Sequence, residues 1–204
     1  MNTKNRILEV SLELFAKKGY DGVSVREIAR EIGVRESALY KHYKNKEDIL
    51  NKIVEEMVVH IHEAYKQLGV PESVTIEVAD GYQNISKEQL CEMSWSIFQM
   101  FTEDGKMSNF RRLLMREQFQ NKKFAEYYDR FFLTGVIENQ AKTFLQLVKG
   151  GLFRKEDERM LALHFYGPIL LLFQQYDCEP EKKEELKEML FEHVRAFGDC
   201  YANK

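Results

Sequence analysis

The sequence predicts an all-α protein, and three observations lead to that fold class. The chain has 204 residues, of which 44% are hydrophobic, so it can bury a substantial core. It contains only 3 prolines and 11 glycines, which permits long helices and leaves too few turn residues for an all-β fold. Apolar residues also recur at helical steps of three and four along most of the chain.

The first 48 residues read as three short helices. The first spans about Arg6 to Phe15 and ends before Gly19. Ser24 and Glu27 then form a capping box, in which each side chain bonds exposed backbone N–H groups at the start of a second helix. Gly33 is expected to end that helix in a left-handed conformation, and a new short helix follows at once. Two short helices joined by a glycine turn are typical of a helix-turn-helix.

The sequence after residue 48 predicts a larger helical bundle, so that the whole chain is expected to have about nine helices. We expect a DNA-binding domain at residues 1–48 and a second domain at residues 49–204. Residues 69–85 break the helical period and are interpreted as a connector. The predicted helices of the second domain are a long one after Asn45, then about 86–101, 107–118, 122–149, 157–177 with a kink at Pro168, and 180–203.

Composition and motifs argue against several other classes. Cys91, Cys178 and Cys200 are too scattered for a disulfide framework or a zinc site. The start of the chain is charged, and no run of about 18 apolar residues occurs, so we expect a cytoplasmic protein without a membrane span. His60 and His62 face different sides of a helix, so no metal is expected. We expect no cofactor, no catalytic residues and no enzyme, because the sequence has no nucleophile or phosphate-loop motif.

Charge is only weak evidence for a nucleic-acid partner. The net charge is −3, but residues 1–48 carry ten Lys and Arg against eight Asp and Glu. The first segment is therefore slightly basic and the remainder acidic.

The second helix of the predicted helix-turn-helix has a polar face that can reach base edges. Leu39 anchors this helix, and Lys44 and Lys46 precede the next helix, whose N-terminus can hold a phosphate. In an arbitrary protein these lysines would form an ordinary solvated cluster, and Tyr40 would be a core aromatic residue. The helix-turn-helix context favours DNA contact instead, through the exposed residues Arg35, Glu36, Ser37, Tyr40 and Lys41.

This segment resembles the TetR family of bacterial regulators over about 45 residues. The resemblance rests on Arg6-Ile7-Leu8, Leu14-Phe15, Gly19, Ile28-Ala29, Gly33-Val34, Leu39-Tyr40, His42-Tyr43 and Lys46-Glu47. It implies a three-helix DNA-binding domain, a homodimer formed by the last two helices, and an effector pocket in the C-terminal domain. It also implies repression that the effector relieves, and a palindromic DNA operator as partner.

The resemblance also implies roles for individual residues. Arg26, Glu36, Ser37 and Tyr40 correspond to base or nearby phosphate contacts, and Tyr40, His42 and Lys46 to a phosphate clamp. Two positions depart from the family pattern. Arg35 replaces the usual serine at the cap of the recognition helix, which weakens the cap and can add a DNA contact. Glu36 brings a negative charge toward DNA, where it is tolerable mainly as an acceptor for a cytosine amine.

Two further sets of residues are assigned in the second domain. A small, largely apolar effector is expected to contact aromatic residues on three successive helices, although such a set is more often the stripe of an ordinary core: Trp95, Phe98, Phe119, Tyr128 and Phe132. The dimer interface is expected on the last two helices, where one is apolar around most of its circumference: Leu161, Phe165, Ile169, Leu172, Leu190, His193, Phe197 and Tyr201.

Two alternative functions remain open. One is a helix-turn-helix regulator without a small-molecule effector, controlled by a protein partner. The more distant one is a helical enzyme or binding protein that has lost DNA binding.

Overall fold

The computed structural model of the chain describes residues 3–69 and 85–203 and confirms the all-α fold. Within these ranges the regular structure is helical, apart from an isolated antiparallel bridge between Phe153 and Ala202. Apart from its two end residues, the predicted connector at 69–85 lies outside the described residues. The helices are α1 Thr3–Lys18, α2 Val25–Ile32, α3 Glu36–Leu39, α4 Lys46–Gln67, α5 Lys87–Thr102, α6 Gly105–Glu117, α7 Lys122–Phe132, α8 Thr134–Lys149, α9 Glu158–Cys178, a 3-10 turn Pro180–Lys182, and α10 Lys183–Tyr201.

The residues fall into two compact units. The first combines residues up to 63 with residues 103–128, and the second combines 64–102 with 129–204. The predicted DNA-binding domain at residues 1–48 lies within the first unit. As the boundary of an independent domain, residue 48 stays a prediction.

The first unit is built around α1, which packs against α2 and α6. The buried face of α1 follows the helical repeat through Ile7, Leu8 and Phe15, as its sequence predicts. The side chain of Arg111 on α6 is also buried, with 2% of its surface exposed. The core therefore joins the helix-turn-helix to a helix that is distant in sequence.

The second unit centres on α9, which packs against α8, α5 and α10. Asp157 caps the start of α9, because its carboxylate accepts hydrogen bonds from the backbone N–H groups of Arg159 and Met160 at 3.0 and 2.9 Å. The core cluster on one side of α9 consists of Ala141, Phe144, Leu147, Leu161, Ala162 and Phe197.

The helix predicted at 122–149 is two helices, separated at Leu133. The backbone of Leu133 has φ −125° and ψ −108°, outside the helical range. The hydroxyl of Thr134 donates to the carboxylate of Asp129 at 2.7 Å across the break. A Cβ atom at Gly135 would lie 2.0 Å from the carbonyl oxygen of Arg130, so only glycine fits this approach. The apolar period continues through the break, which explains why the prediction of one helix was wrong.

Gly135→Ala should destabilise the protein by about 2 kcal/mol or more, because the clash is with backbone and no side-chain rotation relieves it. Gly198→Ala is the matched control in a helix interior, since a Cβ there has no heavy atom within 4 Å. It should be neutral or stabilising by up to about 1 kcal/mol. Urea unfolding measures both values, and a Gly135→Ala protein as stable as the wild type would contradict this reading of the break.

Candidate DNA-binding interface

The turn of the helix-turn-helix forms as the sequence predicts. Gly33 is left-handed, with φ 74° and ψ 30°, and its backbone N–H donates to the carbonyl of Arg30 at 3.1 Å. The N–H of Val34 donates to the carbonyl of Ala29 at 3.0 Å, so the last carbonyls of α2 are satisfied. Open space surrounds the Cα of Gly33, so its backbone conformation is what favours glycine there.

The predicted capping box fixes the start of α2. The backbone N–H of Glu27 donates to the hydroxyl of Ser24 at 3.1 Å. The ammonium of Lys18 donates to the Glu27 carboxylate at 2.5 Å. The pKa of Glu27 is lowered, first by this Lys18 hydrogen bond and also by a backbone hydrogen bond from Ser24. The end of α1 and the start of α2 are therefore joined by a charged pair that the sequence pattern did not specify.

The recognition helix α3 is short and presents a polar surface. Leu39 is buried, and Ala38 is half-buried beside it. On the other side Glu36 and Ser37 are exposed, and Tyr40 has 51% of its surface exposed. The predicted anchoring by Leu39 and exposure of Tyr40 are thus confirmed. The core reading of Tyr40 is excluded.

The carboxylate of Glu36 is hydrogen-bonded within the recognition helix. The hydroxyl of Tyr40 donates to the Glu36 carboxylate at 3.4 Å, one helical turn away. Arg35 occupies the cap position of α3 and makes no side-chain capping bond, so it leaves the cap unfilled as expected. The Arg35 side chain is exposed beside the same surface.

Basic and hydrogen-bonding groups flank the recognition helix on both sides. Arg26 on α2, Lys41 and His42 after α3, and Lys44 before α4 all have exposed side chains. Asn45 caps α4, because its side-chain oxygen accepts from the backbone N–H of Asp48 at 2.8 Å. Exposed positive charges on either side of a reading helix can hold DNA phosphates while base contacts specify the sequence.

Lys46 differs from the other predicted contacts. Its ammonium donates to the backbone carbonyls of Tyr20 at 3.0 Å and Val23 at 3.1 Å. It also lies 4.2 Å from the centre of the Tyr20 ring. The side chain is directed into the protein, so this geometry does not support the predicted phosphate clamp at Lys46. From sequence alone, a lysine beside a loop is expected to be exposed. Only the folded structure shows that carbonyl groups of a distant loop face its ammonium.

The residues predicted to contact an effector do not all come together. Trp95, Phe98 and Phe132 are buried in one unit, where they belong to an aromatic cluster completed by Phe101, Phe173 and Tyr176. Phe98 stacks on Trp95 and on Phe173, with ring centres 5.1 Å apart in both pairs. Tyr128 is buried but belongs to the other unit.

Phe119 is misplaced in the effector prediction. It lies in the turn after α6 rather than on a helix, and 87% of its surface is exposed. Two open cavities, of about 350 and 610 Å³, lie in the first unit, and none of the five predicted effector residues lines either one.

The residues predicted for the dimer interface lie mostly on the inner side of their helices. Leu161, Ile169, Leu172, Leu190 and Phe197 are buried within the protomer. The others are half-buried and bonded or packed within the same chain. His193 donates to the carbonyl of Phe165 at 2.8 Å, and Tyr201 is hydrogen-bonded to His164 at 2.7 Å.

Four large apolar side chains on the same two helices are exposed instead. Met160, Leu163 and Leu171 are spaced at helical steps along α9, and 58% of Leu171 is exposed. Met189 is exposed on α10. The sequence missed these residues because an all-round apolar helix does not reveal which side its own chain covers. The signal that could have found them is a second set of apolar residues at helical spacing, on another side of α9 from the buried set.

Other kinds of site find no support in the part of the chain that the structure describes. Its His, Cys, Asp and Glu side chains form no group of three or more that could hold a metal ion. None of the helices in residues 3–69 and 85–203 is both long and apolar enough to cross a membrane.

Known proteins resemble the chain most clearly over the helix-turn-helix. Residues 7–53 match the family model of bacterial regulatory proteins, tetR family. The negative transcriptional regulator IcaR of the biofilm operon icaADBC in Staphylococcus epidermidis is 40% identical over 52 residues, which are 26% of this chain and 28% of IcaR. The chain thus spans about a quarter of the length of that relative.

Longer matches extend the similarity at lower identity. The transcriptional regulator SAB2452 of Staphylococcus aureus is 24% identical over 181 residues, which cover 84% of this chain and 91% of that protein. Among solved structures, a complex of SmeT with triclosan superposes with a TM-score of 0.74 at 17% identity, covering 99% of this chain and 92% of SmeT. SmeT is the repressor of the multidrug efflux pump SmeDEF of Stenotrophomonas maltophilia.

These matches agree with the geometry of the site. The family model covers the two helices, the glycine turn and the first residues of α4, and the structural similarity extends over the whole fold. Residues 7–53 of this chain are thus similar in sequence to the DNA-binding segment of tetR-family regulatory proteins, and the fold of the chain is similar to that of solved regulators.

Proposed function

We propose that this chain is a transcriptional regulator that binds a palindromic DNA operator as a homodimer, represses transcription there, and is released by a small, largely apolar effector. The observation that carries the proposal is the exposed polar surface of α3, formed by Glu36, Ser37 and Tyr40 and flanked by Arg26 and Lys44. This surface has the size and polarity needed to enter a major groove.

Base reading is assigned to Glu36 and Ser37. A carboxylate near DNA is repelled by phosphates, so it is useful only where it accepts a hydrogen bond from a base, such as the N4 amine of cytosine. The Tyr40 hydroxyl 3.4 Å away helps to hold that carboxylate in place. Lys41, His42 and Lys44 are assigned to phosphates, together with Arg26 and Arg35.

Glu36→Ala should change which operator is preferred more than how tightly DNA in general is held. The expected change is about 1–3 kcal/mol of discrimination at one base pair of each half-site. Selection from random duplex DNA measures it. Lys41→Ala is the control, because loss of a phosphate contact should weaken binding to all sequences alike. An unchanged ranking of operator sequences for Glu36→Ala would remove Glu36 from base reading.

The dimer is assigned to the exposed apolar face of α9 and α10, defined by Met160, Leu163, Leu171 and Met189. Exposed large apolar side chains that share one face of a helix, as Met160, Leu163 and Leu171 do, are typical of association surfaces. A second copy of the chain is the partner that fits, because a two-fold dimer would present two α3 helices to a palindromic site.

Leu171→Glu should weaken the dimer by about 100-fold or more, because an unpaired charge would be buried at the two-fold interface. Phe119→Glu places the same charge at an exposed site elsewhere and should leave the dimer intact. Sedimentation equilibrium across micromolar concentrations measures both variants. A Leu171→Glu protein that stays dimeric and binds its operator normally would contradict this interface.

The effector is assigned to the aromatic cluster around Trp95. The six rings of this cluster could separate to admit an apolar compound and exchange ring–ring contacts for ring–ligand contacts. The ammonium groups of Lys183 and Lys187 lie 5.8 Å from the Trp95 ring and would add a polar rim. Because the rings already contact one another, control by a protein partner is the competing candidate.

Trp95 is the single tryptophan of the chain, so tryptophan emission reports on this cluster alone. Titration with a panel of hydrophobic aromatic compounds should change that emission, raise the melting temperature and lower operator affinity for the same compounds. Trp95→Phe should lose the emission signal and also reduce the thermal shift, because one ring of the proposed site becomes smaller. Compounds that release operator without altering Trp95 emission would place the effector elsewhere. A panel without any thermal shift would favour the protein partner.

A further inference from the structure

We propose that Lys46 is a positioning residue, whose ammonium fixes the turn between α1 and α2 to the start of α4 instead of contacting DNA phosphate. This role rests on the proposed DNA binding and refines the same site. It departs from the role that the family resemblance implies.

The ammonium of Lys46 is held by three groups of one short loop. It donates hydrogen bonds to the carbonyls of Tyr20 and Val23, and it lies against the face of the Tyr20 ring at 4.2 Å. A lysine ammonium has three donors, so two are used within the protein. The ring adds an attraction between its negative face and the cation.

The loop is shaped to present those carbonyls. Gly19 is left-handed with φ 83°, and a Cβ at Gly22 would lie 2.7 Å from the carbonyl of Lys18. The N–H of Val23 donates back to the carbonyl of Tyr20 at 3.3 Å. The chain therefore folds tightly on itself, and the two acceptors point toward the same cation.

The ring of Tyr20 is itself fixed by packing. Its centre lies 5.1 Å from that of Phe15 on α1 and 5.2 Å from that of Phe124 on α7. Burial, followed by the charges of Glu47 and Asp21, raises the pKa of Tyr20 to about 12. The ring is thus neutral at physiological pH and packed between two aromatic residues where Lys46 lies against it.

The next residue of α4 is held from the other side. The ammonium of Lys123 at the start of α7 lies 2.6 Å from the Glu47 carboxylate. Lys46 and Glu47 therefore tie the first turn of α4 to two different segments, and both ties are charged.

This contact can set the separation of the phosphate-binding groups. The turn held by Lys46 leads through the Ser24 cap into α2, which carries Arg26 in its first turn. Lys44 lies just before α4. Because Lys46 joins the start of α4 to the turn before α2, it fixes the distance between Arg26 and Lys44. The recognition helix α3 lies between these two residues in the chain. Removal of the Lys46 ammonium should therefore lower the affinity for DNA but leave the number of phosphate contacts, and so the number of released counterions, unchanged.

The salt dependence of DNA binding distinguishes positioning from direct contact. We would measure the operator Kd of the full-length protein across a potassium chloride series for Lys46→Met and Lys46→Gln, with Lys44→Met as the matched control. A phosphate contact contributes about 0.9 to the slope of log K against log salt, so Lys44→Met should lower the slope by about one. Lys46→Met should weaken binding about tenfold at every salt concentration with the wild-type slope. Lys46→Gln keeps two N–H donors without the charge, and it should lose less affinity and keep the slope.

A second measurement follows the turn without DNA. Amide hydrogen exchange at Val23 should accelerate in Lys46→Met and stay at the wild-type rate in Lys44→Met. A Lys46 variant whose slope falls by about one, like Lys44→Met, would overturn the positioning role. Unchanged exchange at Val23 would overturn it as well. If the variants show these exchange differences but wild-type protein binds no duplex DNA, the proposed function is refuted and the contact itself stands.

Discussion

The reading surface depends on the burial of one short helix. A four-residue helix such as α3 has too few hydrogen bonds to be stable alone. It exists because Leu39 is buried in the core of its unit and because the left-handed Gly33 turns the chain sharply after α2. These two constraints leave a single face of α3 for solvent. That face carries the residues through which the protein is proposed to read DNA.

Local signals in the sequence predicted this part of the molecule well. Glycine at a left-handed turn and serine at a helix cap each have a direct physical cause within four residues of chain, so Gly33 and Ser24 could be assigned without a structure. The exposure of Tyr40 followed in the same way from the buried position of Leu39 beside it.

Contacts between distant segments were less predictable. Lys46 binds carbonyls 23 and 26 residues away, and only the folded loop brings them together. The apolar residues of α9 indicated a helix that is buried on most sides, yet which side its own chain covers, the side of Ile169 and Leu172, depends on where α5, α8 and α10 pack. Likewise the helix break at Leu133 depends on the close approach of Gly135 to the backbone of Arg130. The hydrophobic period of the sequence is the same with or without this break, so the sequence did not reveal it.

The proposed function is most directly tested through the DNA site that the protein selects and the number of chains that occupy it. Selection from random duplex DNA with the full-length protein, followed by sedimentation analysis of the complex, gives both in one experiment. The account predicts a two-fold symmetric site with half-sites about one helical turn apart, occupied by chains in pairs. An asymmetric site bound by a single chain, or no enriched sequence at all, would contradict it.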